Sequence, residues 1–318
     1  MSFKSNRVIT RTMPAHPILI AGPTASGKSR AALDLAVRLN GVVINADAMQ
    51  MYADLRILTA RPSPEDEAAA PHRLYGVLDA AETGSVGLWL RHAAAALEEA
   101  ARERWRPIFV GGTGLYCVAL TEGLAPVPDI PAETRAAAHD AWAALGPERF
   151  HAQLSRRDPT AAALSPNDRQ RLIRAWSVLE ATGRTLADWQ TERTAPLVSA
   201  GHRFVTSPER VGLYARCDAR FERMLQAGAW AEVEALASRG LDPGLPAMKA
   251  LGVPQLMAAL RGEMSKNEAV TAAKTATRHY VKRQITWFRN QMMSWNHINA
   301  QDSKSLSDRI FPSICDNP

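Results

Sequence analysis

The sequence predicts an α/β fold, a parallel sheet flanked by helices and interrupted by an all-helical insertion. Three observations predict it. Short apolar runs at 17–22, 41–47, 106–112 and 202–207 alternate with stretches of helical period. The first run opens into a glycine-rich loop that leads straight into a helix. Between 123 and 202 the strand-like runs disappear and Ala- and Arg-rich helical stretches replace them. Strands alternating with helices favour a parallel sheet covered on both faces.

The elements follow in order. "PILIAG" (17–22) is a buried strand, and "KSRAALDLAVRL" after the loop places Ala32, Leu35, Ala36 and Leu39 at helical spacing. "GVVINAD" (41–47) and "RPIFVGG" (106–112) are the next strands, with helical material over 86–105 between them. "HRFVTS" (202–207) returns to strand character, and "VGLYARCDARFERMLQAG" (211–228) reads as a helix ended by Gly228. The last long helix is expected from about Asn267 to Gln291, and no internal repeat is present. These elements divide the chain into a core domain, 1–122 with 203–318, and a helical insertion domain, 123–202. Residues 1–16 and the polar stretch 300–318 are expected to be flexible.

Composition narrows the class. At 318 residues the chain can hold two domains, and 46% apolar content argues against extensive disorder. A net charge of +6, with a pI near 9.5, favours a polyanionic partner without excluding small anions. Cys117, Cys217 and Cys315 lie far apart with no CxxC pair, as in a reduced cytoplasmic protein without disulfides or a zinc site. No apolar run reaches the length of a membrane span. Lys4, Arg7 and Arg11 form a basic arm that lacks the apolar centre of a signal peptide.

"AGPTASGKS" carries the strongest motif: Gly22, then Pro23, Thr24, Ala25 and Ser26, then Gly27, Lys28 and Ser29. Backbone amides at the start of a helix hold oxyanions through hydrogen bonds and the helix dipole. Lys28 would neutralise phosphate charge, and the Ser29 hydroxyl would ligate a magnesium ion. Such a loop reads phosphates and metal, never a base. The strand at 106–112 ends in Gly-Gly-Thr without the carboxylate that a nucleotide hydrolase places there. The strand at 41–47 does end in one, Asp47, at the sheet edge where ligands of open α/β sheets bind. On its own Asp47 reads as a metal-directed carboxylate, a general base or a helix cap.

Two basic clusters complete the pattern. "ATRHYVKRQITWFRN" places Arg278, Lys282 and Arg289 near one helical face, with Arg283 beside them and Trp287, Phe288 and Trp295 following. "PNDRQRLIRAW" supplies Arg169, Arg171 and Arg174 within the insertion. A solvated basic face with aromatics in the core is one reading, and a phosphate-tracking surface for RNA is the other.

Together these stretches resemble the tRNA dimethylallyltransferase family. The resemblance rests on "GPTASGKS", "INADAMQMY", "PHRLYGVLD", "VGGTGLY", "DPTAAALSPNDRQRLIRAWSVLEATG", "RFERMLQAGAWAEV" and "RHYVKRQITWFR", in the family's order, from about residue 18 to 297. It implies a P-loop NTPase-like sheet and transfer of a dimethylallyl group from dimethylallyl diphosphate to N6 of the adenosine 3′ of the anticodon. The acceptors implied are tRNAs that read codons beginning with U. The loop would then hold the diphosphate of the donor, together with Mg2+. By resemblance Asp47 is the general base, Thr113 the hydroxyl beside donor and base, and Arg220 the arginine that clamps the diphosphate, with Arg216 one turn away as its alternative. The tRNA-contacting residues implied are Asp47, Ala48, Met49, Gln50, Thr113, Arg135, Gln170, Arg171, Leu172, Ile173 and Arg174. Arg278, Lys282 and Arg283 add the basic helix to that surface. A cytoplasmic monomer acting on the anticodon stem-loop is expected.

Some positions depart from the common family pattern. Ser29 stands for Thr and keeps the metal-binding hydroxyl; Ala48 stands where Ser is frequent. "LRILTARP" (55–62) lacks an acidic residue and a Gly, and "KALGVPQ" (249–255) has Val-Pro in place of Gly-Tyr. Two other readings start from the same residues. A small-metabolite or nucleoside kinase would use the loop for ATP, and a non-catalytic RNA-binding protein would leave the loop unexplained.

Overall fold

The computed structural model describes residues 16–300 and 302–315; the basic arm expected over 1–16 lies, except for His16, outside them. Two compact units are present. One is the chain up to Thr121 and from Val198 onward, and the other is Glu122–Leu197.

In the larger unit, β1 (Ile18–Ala21) is buried throughout and opens into the glycine loop that starts α1 (Lys28–Leu39). Asn40 ends α1 in the left-handed region (φ 49°) and returns the chain at once into β2 (Gly41–Asn45). A capping box of Ser63 and Asp66 starts α2 (Pro64–Ala69), which leads to the two-residue β3 (His72–Arg73). Ser85 caps α3 (Val86–Glu103), and β4 (Arg106–Gly111) and α4 (Gly114–Glu122) follow.

The smaller unit is helical: α5 (Ala132–Arg157), α6 (Arg169–Thr182) and α7 (Leu186–Gln190). α5 breaks at Gly146 (φ 72°), just ahead of Pro147. Its core centres on Phe150, which meets Trp142 edge-on at 5.1 Å and Trp176 at 4.5 Å, with Leu154, Leu172 and Ile173 packed around them.

The chain then re-enters the larger unit through β5 (His202–Thr206), α8 (Arg210–Gln226) and α9 (Ala229–Ser238), the two helices hinged at Gly228 with φ 104°. α10 (Val253–Leu260), α11 (Lys266–Gln291), β6 (Asn296–Ile298) and α12 (Ser303–Cys315) complete it. All neighbouring strands are parallel, in the order β3-β2-β4-β1-β5-β6. Alternate residues along each strand face opposite layers. Leu19, Ala21, Val42, Ile44, Phe109 and Val205 join one core, with Trp89 of α3 and Phe288 of α11. Ile18, Ile20, Val43, Ile108, Val110 and Phe204 join the other, with Leu35 of α1.

Two sequence departures are absorbed by packing. Leu55 and Leu58 of the 55–62 stretch are buried, and Glu232 accepts hydrogen bonds from the Ile57 and Leu58 amides at 2.6 and 2.9 Å. Val253 is buried and Pro254 occupies the first turn of α10, where its missing amide hydrogen costs nothing.

The C-terminal stretch differs from the expectation of a flexible tail. β6 extends the sheet beside β5, and α12 buries Leu306, Ile310 and Ile314 in the core layer shared with α1. Arg38 of α1 lies 3.7 Å above the Phe311 ring and 3.4 Å from Asp308. The stretch looked polar because its apolar residues are spaced four apart and the charges fall on the outer face. Among the described residues no helix is long and apolar enough to cross a membrane.

Ile310→Ala is expected to destabilise the protein by about 2–5 kcal/mol, read as a lower urea midpoint with an unchanged slope. The three cysteines are free, with Cys117 and Cys217 buried and Cys315 exposed. Burial pushes the Cys117 thiol up to about 12. Native protein treated with iodoacetamide at pH 8 is therefore expected to lose Cys315 first, with Cys117 and Cys217 reacting only after unfolding, as mass spectrometry of peptides would show.

Candidate active site

The carboxyl ends of β2, β4, β1 and β5 lie side by side, and each releases a segment of the site. After β1, the loop Gly22–Ser29 turns twice through the left-handed region, at Ala25 (φ 60°) and Gly27 (φ 85°), before α1 begins. That alternation turns successive amides toward one point, as an anion-binding nest requires. The amides of α1's first turn have no partner within the helix and add to it. Gly22 packs so tightly on β5 that a Cβ would lie 1.8 Å from the Thr206 hydroxyl oxygen, and Thr206 in turn donates to Ser26 Oγ at 2.8 Å. Behind the loop, the start of α12 at Ser303 closes on Gly27.

Lys28 is buried in this cradle and its ammonium donates to the Pro23 carbonyl at 3.1 Å. Burial lowers its pKa to about 8, against the opposing pull of Asp47. An anion placed in the loop would restore the lost charge preference. Two arginines of α8 reach the loop from outside: Arg220 donates to Thr24 Oγ1, and Arg216 Nε donates to the Ala25 carbonyl at 3.1 Å. Burial pulls the Arg220 guanidinium below its usual range, yet such a group stays charged. The buried Nη2 of Arg216 has no hydrogen-bond partner among the described residues.

Asp47 follows β2 and is held by its neighbours. The fully buried Asn45 side chain accepts from the Asp47 amide at 2.8 Å and donates to the Asp47 and Leu74 carbonyls at 2.9 and 3.0 Å. Trp89 Nε1 donates to the Asn45 carbonyl at 2.8 Å. Asp47 Oδ1 accepts from the Met49 amide at 3.1 Å, while Oδ2 has no donor among the described residues and faces Gly112. Burial and then the Asp47 charge hold the phenols of Tyr75, Tyr116 and Tyr280 protonated well above their usual range.

Thr113 follows β4. Its Oγ1 accepts from the Ala48 amide at 2.9 Å, which leaves the hydroxyl hydrogen free for a ligand. The exits of β2 and β4 touch: a Cβ on Gly111 would fall 1.9 Å from the Ala46 carbonyl oxygen. The loop amides, Lys28, Arg220, Asp47 and Thr113 thus converge on one place. Such a set can hold a multiply charged anion and accept a proton beside it.

The remaining site expectations divide. Met49 is half-buried, and the Gln50 amide is used in donating to the Thr59 and Ala60 carbonyls at 2.8 and 3.0 Å. On α11, Lys282 and Arg283 are exposed, but Arg278 pairs with Asp218 of α8 at 2.7 Å. In the smaller unit, Arg135, Gln170, Arg171 and Arg174 are exposed. Desolvation by neighbouring side chains, then the like charge of Arg135, pulls the Arg174 guanidinium below its ordinary value. Leu172 and Ile173 are corrected: they lie in that unit's core, at 0% and 7% exposure, because they occupy the inward face of α6. Their side chains are not available to a tRNA.

Three structural residues of the site were not anticipated: Asn45, Trp89 and Gln284. Asn45 is the one polar side chain in the run "GVVIN". Gln284 falls between Val281 and Phe288 at the spacing of α11's buried face, the signal by which periodicity alone could have found it. The only sequence-visible trace of Trp89 is its place in the amphipathic pattern of α3.

Known proteins similar in sequence and architecture are consistent among themselves. The IPP transferase family model matches residues 50–291, beginning just after Asp47. A tRNA dimethylallyltransferase of Bradyrhizobium sp. (strain ORS 278) is 56% identical over 292 residues, spanning 91% of this chain and 95% of that one. Its counterpart from Rhodospirillum centenum is 54% identical over 298 residues, spanning 91% and 94%. The crystal structure of a full-length tRNA isopentenylpyrophosphate transferase from Bacillus halodurans superposes with a TM-score of 0.67 at 29% identity, covering 95% of this chain and 97% of that one. A eukaryotic dimethylallyltransferase caught acting on tRNA superposes at 0.73 with 26% identity, covering 86% and 70%. With a phosphate loop, a free carboxylate and a free hydroxyl gathered at one sheet edge, and relatives this similar along nearly its whole length, the chain belongs to the tRNA dimethylallyltransferase family.

Proposed function

We propose that this protein transfers the dimethylallyl group of dimethylallyl diphosphate to N6 of the adenosine immediately 3′ of the anticodon, in tRNAs that read codons beginning with U. The observation that carries the reading is the placement of an unshared carboxylate oxygen, Asp47 Oδ2, and an unshared Thr113 hydroxyl hydrogen beside a phosphate cradle. No carboxylate ends β4, where phosphoryl-transfer enzymes keep one for their metal.

In the reaction, the adenine N6 attacks C1 of the allyl group, the C1–O bond breaks, and diphosphate leaves with the bonding electrons. The N6 lone pair is shared with the ring, so the nitrogen must give up a proton as the new bond forms; Asp47 Oδ2 accepts it. Negative charge grows on the leaving oxygen. The amides of Ala25, Ser26 and Gly27, with Lys28 and Arg220, balance it without reorganising. Thr113 donates its hydroxyl hydrogen to the substrate between base and leaving group.

Among the described residues no group of three or more His, Cys, Asp or Glu is placed to hold a metal ion. The exposed Ser29 hydroxyl offers one oxygen at the first turn of α1. One hydroxyl, diphosphate oxygens and waters form the donor set that Mg2+ accepts, so the residues fit the ion. When bound, it neutralises diphosphate charge.

The adenosine must be turned out of the anticodon-loop stack to reach Asp47. Arg135, Gln170, Arg171 and Arg174 of the smaller unit, and Lys282 and Arg283 of α11, are assigned to the stem-loop phosphates. Ala48, Met49 and Gln50 line the approach to the base. The enzyme is assigned as a monomer acting in the cytoplasm, where tRNA is met.

Asp47→Asn is expected to lower kcat/KM by about a hundredfold to ten-thousandfold while retaining diphosphate binding; wild-type nucleoside yields from the variant would refute the assignment of the base. Replacing both Arg171 and Arg174 by Ala is expected to weaken tRNA binding and to flatten the salt dependence by roughly one unit per lost phosphate contact, measured by filter binding over a salt series.

A further inference from the structure

Gln284 is the buried polar group that the proposed chemistry leaves unused. It sits on the inner face of α11 with 5% exposure. Its Oε1 accepts from the Thr24 amide of the phosphate loop at 3.0 Å, and its Nε2 donates to the Gly112 carbonyl at 2.9 Å. Those partners lie 260 and 172 residues away along the chain. Only one orientation of the amide satisfies both, since an N–H needs the oxygen and a carbonyl needs the nitrogen.

The contact is close on every side. A Cβ on Gly112 would stand 2.5 Å from Gln284 Nε2 and 3.1 Å from Asp47 Oδ2. A side chain at Gly112 would push the Gln284 amide aside, and that amide and the Asp47 carboxylate face the same few ångströms of backbone. Thr113, the next residue, is fixed in turn to the Ala48 amide. One side chain thus ties the phosphate loop to the β4 exit that carries Thr113 and faces Asp47.

We propose that Gln284 is a positioning residue that sets the spacing between the phosphate loop and the Asp47–Thr113 pair. The assignment rests on the proposed function. Gln284 occupies the Thr24 amide, so the diphosphate is received by the amides further along, from Ala25 to Ser29, on the side facing Asp47. It also anchors α11 from within, while Lys282 and Arg283 of the same helix face outward. Shortening the side chain by one methylene breaks the span. A carboxylate at this position still accepts from Thr24 but repels the Gly112 carbonyl and adds negative charge beside the cradle.

The test compares full-length wild-type enzyme with Gln284→Ala, Gln284→Asn and Gln284→Glu. With enzyme in excess over tRNA, the single-turnover rate constant for prenyl transfer is read, because the fraction of folded enzyme does not move it. Gln284→Ala and Gln284→Asn are expected to lower that constant by about tenfold to a hundredfold, the scale of an ångström of misplacement, with KM for tRNA within about threefold of wild type. Gln284→Glu is expected to weaken inorganic diphosphate binding, with magnesium present, by more than tenfold. If Gln284→Ala fails to melt cooperatively, the nearly isosteric Gln284→Glu carries the comparison. Wild-type single-turnover constants in the Ala and Asn variants, or unchanged diphosphate binding in the Glu variant, would overturn the proposal. Failure of the wild-type protein to prenylate tRNA would instead refute the proposed function, and the diphosphate arm would still decide the role of Gln284.

Discussion

The site depends on how closely β2 and β4 leave the sheet together. The Ala46 carbonyl lies where a side chain on Gly111 would be, and it accepts the Thr113 amide at 3.2 Å while the Ala46 amide donates to Val110 at 2.8 Å. Two strand exits bonded this tightly cannot shift independently. Asp47 follows one and Thr113 the other, so carboxylate and hydroxyl hold their separation through backbone hydrogen bonds. Cores packed to this density do not deform gradually, so a side chain at Gly111 would have to displace one of the two exits.

Around that crossing, the polar groups are arranged to leave few atoms unspent. Asn45 uses both ends of its amide to hold the turn carrying Asp47, and Trp89 fixes the Asn45 carbonyl from below. Thr206 and Ser26 do the same for the back of the phosphate loop. What remains unshared faces the site: Asp47 Oδ2, the Thr113 hydroxyl hydrogen, the loop amides beyond Thr24 and one nitrogen of Arg216. A buried polar atom without a partner is costly, so the unpaired nitrogen of Arg216 has most to gain from a bound anion.

Much of this was legible in the sequence. The buried strands announce themselves as apolar runs, and the glycine pattern with Lys28 and Ser29 locates the cradle because its chemistry needs those residues at that spacing. Asp47 and Thr113 were legible as strand-end residues. Others were not, for physical reasons. Gln284 bonds to residues 260 and 172 positions away, and local pattern holds no record of such pairings. Arg278 looked like part of a free cationic stripe because helical spacing cannot show that Asp218 faces it. Leu172 and Ile173 were drawn into an RNA-contact segment by their neighbours, although their own apolar character places them inside. The last helix was read as a tail because its apolar stripe is narrow and short, and a stripe becomes structure only when another helix covers it.

That last helix has a consequence for how the protein comes into being. The phosphate loop is translated well before α12, which backs Gly27 and covers α1. β6, the outer strand beside β5, is made almost as late. A nascent chain therefore holds its anion-binding turn without that backing until α12 has been made. A chain cut before α12 would expose the face of α1, the helix that begins the site.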